Sequence, residues 1–269
     1  MNLPTSLRQL RVSDVMWTCQ VFLSRWRCRL TYALAAPVVY RNWWALTLSM
    51  LGTPIVLELR CGLRFHIRPG SGDLGVVNEA FILNPYLGGG YIDVPDHAVV
   101  MDIGANIGDF SLQVAQRCPT GRVIAVEPLS EHARILKGHI AMNAYRHVTC
   151  VQSAVGAEEG MTGITVDGAQ SRQYSVSGRM ESVRQTTLSR LMDEHELAHV
   201  DLLKLDCEGA EWDILPAAEN ALPRVRQICM EYHCERGWTP ERLAGWLRDR
   251  GYRVWHTSGR WNGLLWAVR

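Results

Sequence analysis

Three short apolar runs, AVVMDI, RVIAVEP and VDLLKLD, reach a carboxylate at their C-terminal ends, and each is followed by a stretch with helical spacing. Runs this short and this continuous suit strands buried on both faces of a parallel sheet. After the first run, GANIGDF turns into a helix with Phe110, Val114 and Cys118 on one face; after the second, Leu129, Ala133, Leu136 and Ile140 recur at helical spacing. HVTCVQ supplies a further strand. A β-α-β-α-β succession of this kind requires right-handed crossovers and a parallel sheet.

The flanking segments extend that plan. IVLELRCGLRFHIRP alternates on either side of Cys61-Gly62 and predicts a hairpin. NEAFILNPYLGGGYI is expected to lie between two loops, and residues 156–183, polar and glycine-rich, are expected to form an edge excursion or loop. TTLSRLMDEHEL predicts a helix capped by Thr187. GAEWDIL predicts the helix behind VDLLKLD, and VRQICMEY the next strand. TPERLAGWLRDRG has proline near its start and Gly251 after its end, the polarity of a helix. YRVWHTS and NGLLWAVR predict a terminal antiparallel pair.

With 28 Lys+Arg against 27 Asp+Glu, nothing global demands nucleic acid. The distribution is uneven. Residues 1–42 hold Arg8, Arg11, Arg25, Arg27, Arg29 and Arg41 against Asp14, a local excess of five, which leaves the remainder at −4. Trp17, Trp26, Trp43 and Trp44 are interleaved with those arginines. The longest uncharged run, residues 42–57, contains Gly52 and Pro54 and falls short of the roughly 20 apolar residues of a spanning helix. Charges also interrupt any secretory signal. Residues 1–54 are therefore expected to be a helical, basic arm that either caps the body or touches a membrane peripherally. The eight cysteines are scattered, without a CxxC, and read as reduced thiols of a reducing, cytoplasmic compartment. On a strand, Cys229, His233 and Cys234 would not share one face, so no metal set is read there.

Asp102, Glu127 and Asp206 are the acids at the three strand ends, where ligands bind in open α/β sheets. DIGANIG is not the GxGxxG of a pyrophosphate cradle, and an acid before the turn suits a cation better than a phosphate. Gly104 and Gly108 allow close approach of the backbone. Glu127 can accept both hydroxyls of a ribose. A nucleoside with a positively charged, zwitterionic tail answers this description: S-adenosylmethionine.

VVMDIGANIGDFSLQVA, GRVIAVEP, SAVG, TTLSRLMDE and VDLLKLDCEGAEWDIL followed by ICMEYH resemble the FkbM-type methyltransferases in order and spacing over roughly residues 55–235. The resemblance implies an α/β, class I methyltransferase (Rossmann-like) fold with a mostly parallel sheet over residues 55–269, to which the residue pattern adds the terminal antiparallel hairpin and, outside the family's motif, the N-terminal helical arm. It implies methylation of a hydroxyl on a sugar, glycan or natural product. Carried over by position, Asp102, Gly104, Ala105, Asn106 and Gly108 form the cofactor loop, and Glu127 holds the ribose. Pro128, Leu129, Ser153 and Ala154 surround the adenine, while Glu79 and Asp206 face the methionine end. The base for the acceptor hydroxyl is sought among Asp206, Glu208, Glu211, Glu231 and His233; a carboxylate cluster could instead hold a divalent cation that acidifies the hydroxyl, though the spacing demands no metal. A nicotinamide-dependent oxidoreductase and a non-catalytic glycan- or lipid-binding relative are the alternative readings.

Overall fold

The computed structural model describes residues 30–167, 170–172, 179–234, 239–257, 259 and 262–269. The arm's Arg8 to Arg29, with Trp17 and Trp26, lies outside them. Helix α1 covers residues 30–39, and α2 is Ala45–Met50. The hairpin predicted around Gly62 is β1 (Ile55–Glu58) paired antiparallel with β2 (Arg64–Ile67). Its inward side chains, Ile55, Leu57, Phe65 and Ile67, pack with Ala36, Tyr40 and Ala45 and with Ile107 and Leu112 of the body. The segment after the hairpin holds more helix than its glycines suggested. It forms α3 (Asp73–Asn78) and runs into one π-helical turn, Glu79–Leu83, that ends on left-handed Asn84.

A seven-stranded sheet follows. In chain order its strands are β3 (Val99–Ile103), β4 (Arg122–Val126), β5 (Val148–Val151), β10 (Val200–Leu205), β11 (Val225–His233), β12 (Arg253–His256) and β13 (Asn262–Val268). Across the sheet they lie in the order β12-β13-β11-β10-β3-β4-β5. The five strands from β11 to β5 are parallel, and β13 pairs antiparallel with both β11 and β12. Every residue of β10 is buried, as a continuous apolar run in a sheet covered on both faces requires. Helix α4 (Asp109–Arg117) and Phe110, Val114 and Tyr86 cover one face; α6 (Leu188–Glu194), α7 (Glu211–Ala217) and α8 (Pro240–Arg248) contribute to the other. Helix α5 (Ser130–Met142) packs Leu136 beside α4 and Ile135 against the hairpin cluster.

The predicted cap is present: Thr187 Oγ1 accepts from Arg190 N, and Thr239 Oγ1 accepts likewise from Arg242 N at the start of α8. Of the two expectations for residues 156–183, an edge excursion or a loop, the described residues form an excursion built of strands. Strand β6 (Ala154–Val155), β7 (Gly160–Asp167), β8 (Gln170–Arg172) and β9 (Arg179–Thr186) make a second, four-stranded sheet. Its strands pair with each other and bury only a few side chains, notably Ile164 and Val183 on Leu129 and Ala154, so alternation is weak in the sequence. The described cysteines, 61, 118, 150, 207, 229 and 234, are all free thiols.

Candidate active site

The C-terminal ends of β3, β4 and β10 open onto a cleft of about 730 Å³, its mouth included. One wall is Glu127, Pro128 and His132 with Ser153 and Ala154; the other is Gly104, Asn106, Asp206, Cys207 and Glu208. The loop after β3 is held by two bonds: Gly104 N and Ala105 N both donate to Val126 O at 3.0 Å. Gly104 has φ +80°, and a Cβ there would fall 1.9 Å from Asp206 O. Its lack of a side chain therefore serves the approach of the two loops as well as the cleft. Gly108, at φ +90°, caps α4, and a Cβ there would strike Leu136. Asn106 sits between them at φ +49°, a conformation asparagine tolerates better than most residues.

Glu127 follows directly after β4 and is almost fully buried. Its Oε2 accepts from Asn106 N and its Oε1 from Leu129 N, both at 2.9 Å. A carboxylate oxygen has two acceptor sites, so each retains one beyond these backbone bonds. Burial pushes the carboxyl up to about 7 against the opposing effect of these backbone donors. His132 Nδ1 stands 3.8 Å from Oε1, and burial and Arg68 hold its imidazole below the usual histidine value.

Asp102 differs from its expected place. It lies inside β3, is fully buried, and does not line the cleft. Its Oδ2 accepts from Ser111 Oγ at 2.6 Å, and its Oδ1 is 3.1 Å from Lys204 Nζ, off the hydrogen-bond direction. The cation beside this acid is therefore the chain's own lysine. Lys204 Nζ also donates to Gly104 O at 2.8 Å, lies 3.7 Å from Asp206 Oδ2, and faces the rings of Tyr86 and Phe110. Burial opposes its charge, but Asp102, Asp206 and Asp109 hold its pKa above the ordinary lysine value. Asp206, the first residue beyond β10, accepts from Tyr86 Oη at 3.0 Å through the same Oδ2. Lys204, Tyr86 and Ser111 were not anticipated. A lysine inside the apolar run VDLLKLD was the available signal, because an unpaired ammonium is not tolerated there.

The turn between β10 and α7 is tightly wound: Glu208 has φ +52° and Gly209 φ +107°. Glu211 is fully buried and accepts from Cys207 N at 2.7 Å and Gly209 N at 3.0 Å. It latches this loop from the first turn of α7 rather than sharing a helix face with Glu208. His233 closes the group. Its Nδ1 contacts Glu211 Oε1 at 3.3 Å, and its Nε2 lies 3.5 Å from Glu208 Oε2 and 4.0 Å from Glu231 Oε1. Burial would lower its pKa, but Glu211, Glu208 and Glu231 together raise it to about 9. Glu231 is pushed up to about 7 by burial and Asp206, with His233 opposing. Asp206, Glu231 and His233 place ligand atoms within 4.8 Å of one another. With its raised pKa, His233 is the protonated counter-cation of this group at neutral pH.

The anticipated residues thus divide. Gly104, Asn106, Glu127, Pro128, Ser153, Ala154, Asp206 and Glu208 line the cleft. Ala105, Gly108 and Leu129 are buried supports of its loops, and Asp102 is a structural partner of Lys204. Glu79, on the π-helical turn, is outside the lining; partial burial and the charge of Asp206 raise its pKa. Glu231 and His233 lie at the end of β11, beside Asp206.

Five parallel strands followed by an antiparallel pair, with a cleft at the carboxyl ends, define a class I methyltransferase fold. The chain belongs to the FkbM methyltransferase family: residues 102–254 match the methyltransferase FkbM domain. It is 30% identical over 224 residues to the AMB antimetabolite synthetase AmbE of Pseudomonas aeruginosa, covering 66% of this chain but only 10% of that much longer protein. It is 28% identical over 227 residues to the 31-O-demethyl-FK506 methyltransferase FkbM of Streptomyces tacrolimicus, covering 70% of this chain and 85% of the relative. The crystal structure of methyltransferase FkbM from Methylobacillus flagellatus KT shares the fold, with a TM-score of 0.53 at 16% identity over 69% of this chain and 47% of that one.

Proposed function

We propose that this methyltransferase uses S-adenosylmethionine to O-methylate a hydroxyl of a sugar, glycan or natural product. The observation that carries the reading is the pairing of two carboxylates across one cleft. Glu127 retains acceptor capacity suited to a vicinal diol, and Asp206 stands at the end of β10, on the other side of β3, beside a buried cation. The donor set fits the cofactor. Glu127 would take the ribose hydroxyls, Pro128, Ser153 and Ala154 would flank the base, and Gly104 and Asp206 would border the amino-acid end. The name of the Streptomyces relative, which describes an O-methyl transfer, supports oxygen as the acceptor atom.

The cofactor supplies an electrophilic methyl group, so the chain's own work is alignment and proton removal. Asp206 would hold the acceptor hydroxyl and take its proton. Lys204 and Tyr86 fix one of its oxygens and leave Oδ1 uncommitted among the described residues. Glu231, with a pKa of about 7, is the second carboxylate matched to neutral-pH proton transfer. His233, protonated at that pH, would orient Glu208 and Glu231 rather than act as the base.

Two measurements test the reading. Calorimetry with S-adenosylmethionine and with NAD(H) should show binding of the former only; the reverse result would restore the oxidoreductase alternative. Turnover of methyl-labelled cofactor on hydroxylated and amine acceptors should label oxygen. Labelling of amines alone overturns the O-transfer assignment, and binding without turnover on any acceptor favours a non-catalytic relative.

A further inference from the structure

Helix α1 is apolar on both of its sides. Tyr40, just past its end, is fully buried, and Ala36 and Ala45 are nearly so against the hairpin; Tyr40 Oη donates to Asn78 Oδ1 at 2.5 Å. That seating fixes the direction of the opposite face. There Leu30, Leu34 and Val38 recur every four residues, the last two 70% and 72% exposed. Trp43 and Trp44, in the turn that follows, and Met50 and Leu51, at the end of α2, are exposed as well, the last two at 85% and 81%. A helix apolar all round belongs in a nonpolar medium, and an exposed apolar patch of this extent marks an interaction surface.

The charge pattern selects the occupant. Residues 30–57 contain one charged side chain, Arg41, and residues 1–57 contain one acid, Asp14, against six arginines. We propose that this face rests on an anionic lipid membrane surface, with Leu34, Val38, Trp43 and Trp44 entering the interface and the arginines meeting the headgroups. Tryptophan is the side chain enriched at that depth, and a basic flank is what anionic headgroups attract. A second copy is a poorer fit, because each copy carries Arg25, Arg27 and Arg29 in the five residues of sequence before Leu30 and would add like charge to like charge. No helix among the described residues is long and apolar enough to cross a membrane. The lipid contact adds an attachment surface apart from the cleft and is independent of the acceptor's identity.

Co-sedimentation of the full chain with vesicles tests it. Binding to mixed phosphatidylcholine–phosphatidylglycerol vesicles should exceed binding to phosphatidylcholine alone by about tenfold or more, and should weaken as salt is raised. The variant Leu34→Gln/Val38→Gln/Trp44→Gln should lose that binding by about tenfold or more, with its circular dichroism and cofactor affinity unchanged. Arg25→Gln/Arg27→Gln/Arg29→Gln should abolish the preference for anionic lipid. Three results overturn the proposal: a parent that ignores anionic vesicles, a Leu34/Val38/Trp44 variant that binds them as well as the parent, or a parent dimer in sedimentation velocity that this variant dissolves without any vesicle binding.

Discussion

Lys204 and Asp102 are register partners on adjacent parallel strands, and their buried side chains meet at 3.1 Å beneath the cleft floor. Neither residue lines the cavity, yet the same ammonium reaches Gly104 O and approaches Asp206. The pair therefore couples the sheet to both loops that border the site.

Replacing Lys204 with methionine leaves Asp102 buried with Ser111 as its remaining side-chain partner. Breaking a buried pair from one side costs about 3–5 kcal/mol. Denaturant unfolding of Lys204→Met should show a loss of that order, and Lys204→Met/Asp102→Asn should lie closer to the parent. A Lys204→Met protein as stable as the parent would remove the pair from its structural role.

The contrast between this pair and Glu127 explains what the sequence revealed. Glu127 and Asp206 were legible because each follows an apolar run, and a buried parallel strand delivers its next residue to the ligand side. The partnership of Lys204 with Asp102 was not, because it depends on the register of strands a hundred residues apart. With that register unknown, Asp102 resembled a ligand for an outside cation. The strands β7 and β9 were only faintly legible for another reason: they pair mainly with one another and anchor through Ile164 and Val183, leaving a weak period-two pattern. Local signals such as Thr187 before its helix, or Gly62 between two alternating runs, needed no distant partner and gave the cap and the hairpin directly.

Glu127 makes a pH-dependent prediction. Its folded pKa, about 7, lies above the ordinary glutamate value, so the folded protein binds a proton that the unfolded chain lacks between about 4.5 and 7. Its contribution to stability is present at low pH and is lost as pH rises through 7. A diol donates to the ionised form, so cofactor affinity should move the opposite way, weaker at about pH 6 than at about pH 8. Glu127→Gln should flatten both profiles and cost about 10- to 100-fold in affinity at the higher pH, matching the loss of charge-assisted bonds. Calorimetry and denaturation across that range check the two signs separately.

His233 has the analogous dependence at higher pH. Glu211, Glu208 and Glu231 raise its folded pKa to about 9 despite burial, above the ordinary histidine value of 6.5. Its contribution is complete below about 6.5 and disappears as pH rises through 9. His233→Gln should therefore be less stable than the parent near neutrality and converge with it in alkali. Parallel stability curves for the two proteins between those limits would show that His233 is not the cluster's counter-cation.

Asp206 is the residue on which the proposed chemistry turns, and Asp206→Asn separates its possible duties. The amide keeps the shape and can still accept from Tyr86 Oη, but it removes the charge facing Lys204. If Asp206 takes the acceptor proton, methyl transfer should fall about 10²–10⁴-fold with cofactor affinity nearly unchanged. If its duty is instead to hold the amino-acid end of the cofactor, affinity and rate should fall together. Single-turnover rates measured beside calorimetry distinguish these outcomes. A fully active Asp206→Asn enzyme would reject both and move the base to Glu231, whose carboxyl sits near neutrality on the adjacent strand end. In that case Glu231→Gln should lower turnover about 10²–10⁴-fold, and the residual activity should lack the acid limb that a group near pH 7 sets in the parent.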